Sequence, residues 1–159
     1  MALEKIISGG QTGVDRAALD AALAVGFPCG GWCPVDRKAE DGPIPERYPM
    51  SLLTERGSRL RTLRNVQTGD GTAILFNQAL TGGTKLTRDM CIREKRPFIV
   101  LDATQIAVER AVKAIVRFID ENEIQIMNVA GPRLSGWPVG YAFALAVVGG
   151  VIVDRGRKP

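Results

Sequence analysis

Lys5-Ile6-Ile7-Ser8-Gly9-Gly10-Gln11-Thr12-Gly13-Val14-Asp15-Arg16 decides the architecture of this chain. A short apolar run ending at Ser8 reads as a strand. Three glycines within five residues then make a tight turn, and a helix follows from Val14 to about Val25. That helix carries Ala17, Ala18, Leu19, Ala21, Ala22, Leu23 and Ala24, so it is apolar nearly all round and must be buried. Gly26-Phe27-Pro28 stops it.

The same unit recurs outward from this stretch. Pro28 to Cys33 reads as a second extended piece, and the polar, proline-rich stretch from Pro34 to Pro49 as a long loop, a length that in a compact domain is often functional. Ser58 to Gln67 reads as a short helix, with Leu60 and Leu63 inward and Arg59, Arg61 and Arg64 outward. Thr72 to Asn77 is a continuous apolar run of the buried parallel kind. It leads into Thr81-Gly82-Gly83-Thr84 and a helix to about Lys95. Pro97 to Leu101 is the next strand. A helix from about Thr104 to Asn122 puts Val108, Ala111, Val112, Ile115, Phe118 and Ile119 on one face. Ile124 to Val129 is a strand leaving through Ala130-Gly131-Pro132. A last helix is expected from Pro138 to Val148, closed by Gly149-Gly150, with Val151-Ile152-Val153 as a final strand. Strands alternating with helices require right-handed crossovers, so the expectation is one domain over residues 1–159. It is a doubly wound α/β fold, a parallel sheet with helices on both faces. Ligands of such sheets sit at the carboxyl ends of the strands, where the glycine clusters fall.

Composition narrows the chemistry. The chain has 159 residues, 45% hydrophobic and 24% charged, as an ordinary globular domain has. There is no histidine, which excludes Ser-His-Asp and Cys-His nucleophile systems and His-ligated zinc. Cys29, Cys33 and Cys91 are odd in number, and the C-x3-C spacing of the first two misses the C-x-x-C of redox and zinc motifs; they read as structural thiols. The net charge of +4 is scattered, which suits a small phosphate-bearing ligand better than a nucleic acid. No apolar run reaches the ~20 residues of a bilayer span. The N-terminal residues lack a secretory pattern, so the expected location is cytoplasmic. The apolar C-terminal helix suits a subunit interface, and a homo-oligomer is expected.

Three turns are the candidate site. In the first, Gly9, Gly10, Gln11, Thr12 and Gly13 with Asp15 and Arg16 would bring backbone N–H groups and a helix dipole to an anion; Thr12 and Asp15 also read as a capping box. The turn has neither the Gly-Lys-Ser/Thr of a P-loop nor G-x-G-x-x-G. In the second, Thr81, Gly82, Gly83 and Thr84 offer hydroxyls and close backbone approach, or simply a capped helix start. The third, Asn128 to Arg133, contributes Gly131 and Arg133, the latter either a phosphate partner or a surface arginine. Tyr141 reads as pocket wall or core. The arginines Arg56, Arg59, Arg61 and Arg64 read as a cluster that could reach a ligand or a partner subunit, or as a solvated face, the more usual fate of a charge run. Asn65 and Asp70 read equally as capping residues and pocket donors.

Together, Ile7 to Arg16, Leu80 to Thr87 and Asn128 to Arg133 resemble the molybdenum cofactor carrier family, with Arg64 to Thr72 similar to the segment leading into that family's central strand. The resemblance covers residues 5 to about 148. It implies a Rossmann-like fold related to the lysine-decarboxylase-like group, and binding of molybdenum cofactor, a phosphate-bearing pterin, at Gly9–Gly13 and at Gly82, Gly83 and Thr84. The related phosphoribohydrolases carry P-G-G-x-G-T-x-x-E; here Thr81, Lys85 and Asp89 replace its Pro, second-loop Gly and Glu. Under that alternative Asp89 would be the acid or base acting on a nucleoside monophosphate. A nucleotide-sensing module without turnover is a third reading.

Overall fold

The computed structural model describes residues 2–158. In chain order the elements are β1 (Lys5–Ile7), α1 (Val14–Leu23), β2 (Cys29–Gly30), β3 (Trp32–Cys33), β4 (Lys38–Ala39), β5 (Gly42–Pro43), β6 (Ser51–Leu52), α2 (Ser58–Thr68), β7 (Gly71–Phe76), α3 (Gly82–Arg93), β8 (Phe98–Asp102), α4 (Val108–Asn122), β9 (Ile126–Ala130) and α5 (Gly140–Arg155).

Five strands form one parallel sheet in the order β2-β1-β9-β7-β8. Ile6 stands opposite Met127, and Thr72 opposite Asn128. The chain therefore starts at the second strand, moves to the β2 edge, re-enters at β7, runs to the β8 edge and returns to fill the centre with β9. Read from β7 onward, the same strands fall in the 2-1-3-4-5 order of a doubly wound sheet. The two ends of the described chain meet: the Leu3 N–H donates to the Arg155 carbonyl at 2.9 Å, and the Arg157 N–H to Leu3 at 2.8 Å.

Helices α1, α4 and α5 cover one face and α2 and α3 the other. The larger core lies under the first group, with Ile6, Leu75, Ile115, Ile119, Met127 and Val147 buried together. Val66, Met90 and Cys91 pack beneath α2 and α3. β7 is buried along Gly71 to Leu75, which explains why it reads as an unbroken apolar run.

Three expectations need correction. The final helix does not stop at Val148: α5 continues through Gly149-Gly150 to Arg155, and Val151–Val153 is helix rather than strand. Gly150 marks a close crossing, since a Cβ there would lie 2.7 Å from Val112 on α4. Second, Pro28–Cys33 is two strands. The chain breaks at Gly31, at φ +130° where a Cβ would overlap the Ser8 carbonyl, so β2 joins the main sheet while β3 pairs with β6. Third, the proline-rich stretch is not structureless; β4 and β5 form an antiparallel hairpin whose two-residue tip is Glu40-Asp41. Among the described residues no helix is long and apolar enough to cross a membrane.

Candidate functional site

The carboxyl ends of β1, β9 and β7 open into a cleft of about 490 Å³, a volume usual for small-molecule sites. All three glycine turns contribute to it. Gly9, Gln11 and Asp15 come from the first, Thr81, Gly82, Gly83 and Thr84 from the second, and Gly131 and Arg133 from the third. The polar floor includes Asn128, whose amide donates to the Thr72 hydroxyl at 3.2 Å.

The second turn is the most open part. Gly82 begins α3 at φ +52°, and a Cβ on Gly82 or Gly83 would meet no atom within 4 Å. The first backbone N–H groups of a helix have no partner one turn earlier and carry its partial positive charge. Thr81 at the N-cap makes no side-chain hydrogen bond to them, and Gly82 and Gly83 are exposed. Gly131 differs, since a Cβ there would strike the Leu75 carbonyl at 2.4 Å and Val14 at 2.7 Å. Its bareness lets β9, β7 and α1 close on one another.

Gly10, Thr12, Gly13 and Arg16 do not line the cleft. Gly10 sits at φ +75° against Ile44 and Met50, and Gly13 at φ +80° packs on Pro132 to Leu134 of the third turn. Thr12 is buried, donating from its hydroxyl to Glu40 and accepting the Leu134 N–H at 3.1 Å. Arg16 donates to the Gly10 carbonyl at 3.1 Å and pairs with Asp41. These four build and brace the turn.

Helix α2 supplies residues that the sequence either left open or gave no role. Ser58, Arg61, Thr62 and Asn65 line the cleft. Arg61 is thus not part of a solvated face. Asn65 holds Trp32 through its main chain, accepting at 2.9 Å and donating at 3.0 Å. The spacing 58, 61, 62, 65 is a polar stripe of helical period, the signal that could have found them. Trp137, buried and tilted against Phe143 at 5.7 Å, forms a further wall. Asp70 caps the start of β9, accepting from the Gln125 and Ile126 N–H groups at 3.0 and 2.8 Å. Tyr141 donates to Asp20 at 2.6 Å and lies outside the cleft lining.

Asp15 is the charge buried in the site. Desolvation pushes its carboxyl up to about 6, against the pull of Arg61, the Gln11 N–H, Arg16 and the Gly131 N–H. Asp89, the acid or base of the hydrolase alternative, is exposed on α3, paired with Arg88 at 3.0 Å and outside the cleft. All three cysteines are free thiols, Cys33 and Cys91 buried and Cys29 half-buried; burial raises each above the ordinary thiol range.

The chain is similar, at 38% identity and a TM-score of 0.93, to the crystal structure of the "Putative molybdenum carrier protein" from Syntrophus aciditrophicus SB, over 95% of this chain and 96% of that one. No curated protein matches it. The model of the circularly permutated YpsA SLOG family matches residues 6–152, in keeping with a sheet whose strand order is that of a doubly wound fold begun at a different strand. The chain belongs to the circularly permutated YpsA SLOG family.

Proposed function

We propose that this protein is a carrier that holds molybdenum cofactor by its phosphate end. The observation that carries the reading is the uncovered start of α3. Gly82 and Gly83 leave its first N–H groups open to a cleft that also contains Arg61 and Arg133. Backbone N–H groups, threonine hydroxyls and guanidinium groups are hard donors suited to phosphate oxygens. The pterin would bring its own dithiolene sulfurs to the molybdenum, so no cysteine from this chain is required in the cleft. The name of the similar solved protein supports the same reading.

The residues serve binding rather than turnover. Gly82, Gly83 and Arg61 would orient the phosphate, Thr84 at the buried base of the turn would set its depth, and Trp137 would close one wall. A nucleoside phosphate offers the same phosphate end and is the competing ligand. The reading extends to a cytoplasmic homo-oligomer, in which Val139 and Val153 beside and on α5, 72% and 75% exposed, would be covered by a second copy; light scattering on the purified protein checks the assembly.

The test is ligand-induced thermal stabilisation, which at ~100 times the dissociation constant adds about 2.7 kcal/mol. Gly82→Asp places a carboxylate where the phosphate would sit. It is expected to keep the fold and lose the stabilisation. Unchanged stabilisation would overturn the site.

A further inference from the structure

Beside the main cleft, four donors converge on one carboxylate. Glu40 stands at the tip of the β4–β5 hairpin. Its Oε1 accepts from the Thr12 hydroxyl and from the Ser135 N–H at 3.1 Å, and its Oε2 accepts from the Ser135 hydroxyl at 2.7 Å. The Arg133 guanidinium lies 3.5 Å from the same oxygen. Two hydroxyls, a backbone N–H and an arginine are the surroundings of a bound oxyanion. Thr12 belongs to the first turn and Arg133 to the third, with Ser135 just beyond it.

Neighbouring space supports this. A second cavity of about 430 Å³ lies alongside, lined by Glu40, Lys38 and Arg56 among others, and it shares Gln11, Arg61 and Arg133 with the main cleft. Of Glu40's donors, Arg133 lines both spaces and is within reach of a ligand in the main cleft, while Thr12 and Ser135 line neither and become available only when the Glu40 carboxylate leaves them. The hairpin is held there by polar contacts: Glu40 also donates its N–H to the Gln11 side chain at 2.9 Å, and Asp41 pairs with Arg16. Polar contacts of this kind are exchangeable for those of another anion.

We infer that Thr12, Ser135 and Arg133 form a second oxyanion subsite, filled by the chain's own Glu40 and taken over by a second acidic group of the ligand when it binds. The inference rests on the reading of the cleft as a phosphate site, and it makes the ligand one with two anionic groups. Glu40 is then a competitor for the ligand, and its removal improves binding although it removes stabilising hydrogen bonds. A purely structural tie would act the other way.

Calorimetric titration of the full chain with inorganic phosphate separates these. Wild type is expected to bind one phosphate per chain and Glu40→Gln two, the second lost again in Glu40→Gln/Ser135→Ala. One phosphate in both wild type and Glu40→Gln overturns the second subsite and leaves the glycine-turn reading standing. None in wild type but one in Glu40→Gln upholds the subsite and overturns that reading. None in either overturns both. Glu40→Ala provides the same comparison should Glu40→Gln not melt cooperatively.

Discussion

The side chain of Arg61 lies directly over Gly9: a Cβ on residue 9 would fall 3.0 Å from both its Cδ and its Nε. The glycine therefore makes room for a cation at the end of β1. A methyl at residue 9 would push aside the flexible arginine and press on the Asp15 carboxylate, also 3.0 Å away, and it would move the cation out of the cleft. Gly9→Ala is expected to retain the fold within about 1 kcal/mol. It should weaken sulfate binding by about tenfold, as loss of a hydrogen bond to a charged group does, and Arg61→Ala should match it. Titration with sulfate checks both variants; full affinity in Gly9→Ala would contradict the arrangement.

Asp15 makes the site sensitive to pH. Its carboxyl rises from 3.8 to about 6 because burial penalises the charge. The folded chain thus keeps a proton that the unfolded chain has lost between about pH 4 and pH 6. Stability falls as pH climbs through that window, and the cost stays in place above it, about 3 kcal/mol at most. Asp15→Asn is expected to be the more stable protein near pH 7 and equal to wild type near pH 3.5. The same charge repels an anion, so wild-type sulfate affinity should drop between pH 5 and pH 7 while that of Asp15→Asn stays level. Denaturant melts and titrations across that range read both effects.

Two glycines of the site should respond oppositely to alanine. At Gly131 a Cβ would overlap the Leu75 carbonyl and Val14, and overpacking against main chain should cost about 3 kcal/mol or more. At Gly83 the space is open and the residue is helical, so alanine should stabilise by up to about 1 kcal/mol while its methyl crowds the ligand. Urea unfolding gives the first comparison and phosphate titration the second.

Much of the fold was legible in the sequence because its elements are locally determined. β7 is a buried apolar run, and α4 carries its core residues at strict helical spacing, with Ala111, Ile115, Phe118 and Ile119 all buried. The glycine turns also announced where the cleft would lie. What could not be read depended on distant partners. Gly149-Gly150 has the form of a helix stop, and only the crossing of α5 over Val112 makes it helix interior. Arg61 resembles its exposed neighbours in sequence, and only the placement of α2 against the end of β1 turns it inward. The role of Glu40 arises from residues 95 positions away, a relation no local pattern carries.

Thermal stabilisation of the purified wild-type protein by extracted molybdenum cofactor, compared with AMP, ADP, ATP and GMP, tests the central claim most directly. The account predicts a clear rise in midpoint with the pterin cofactor, absent in Gly82→Asp. A rise with nucleoside phosphates and none with the cofactor would contradict it.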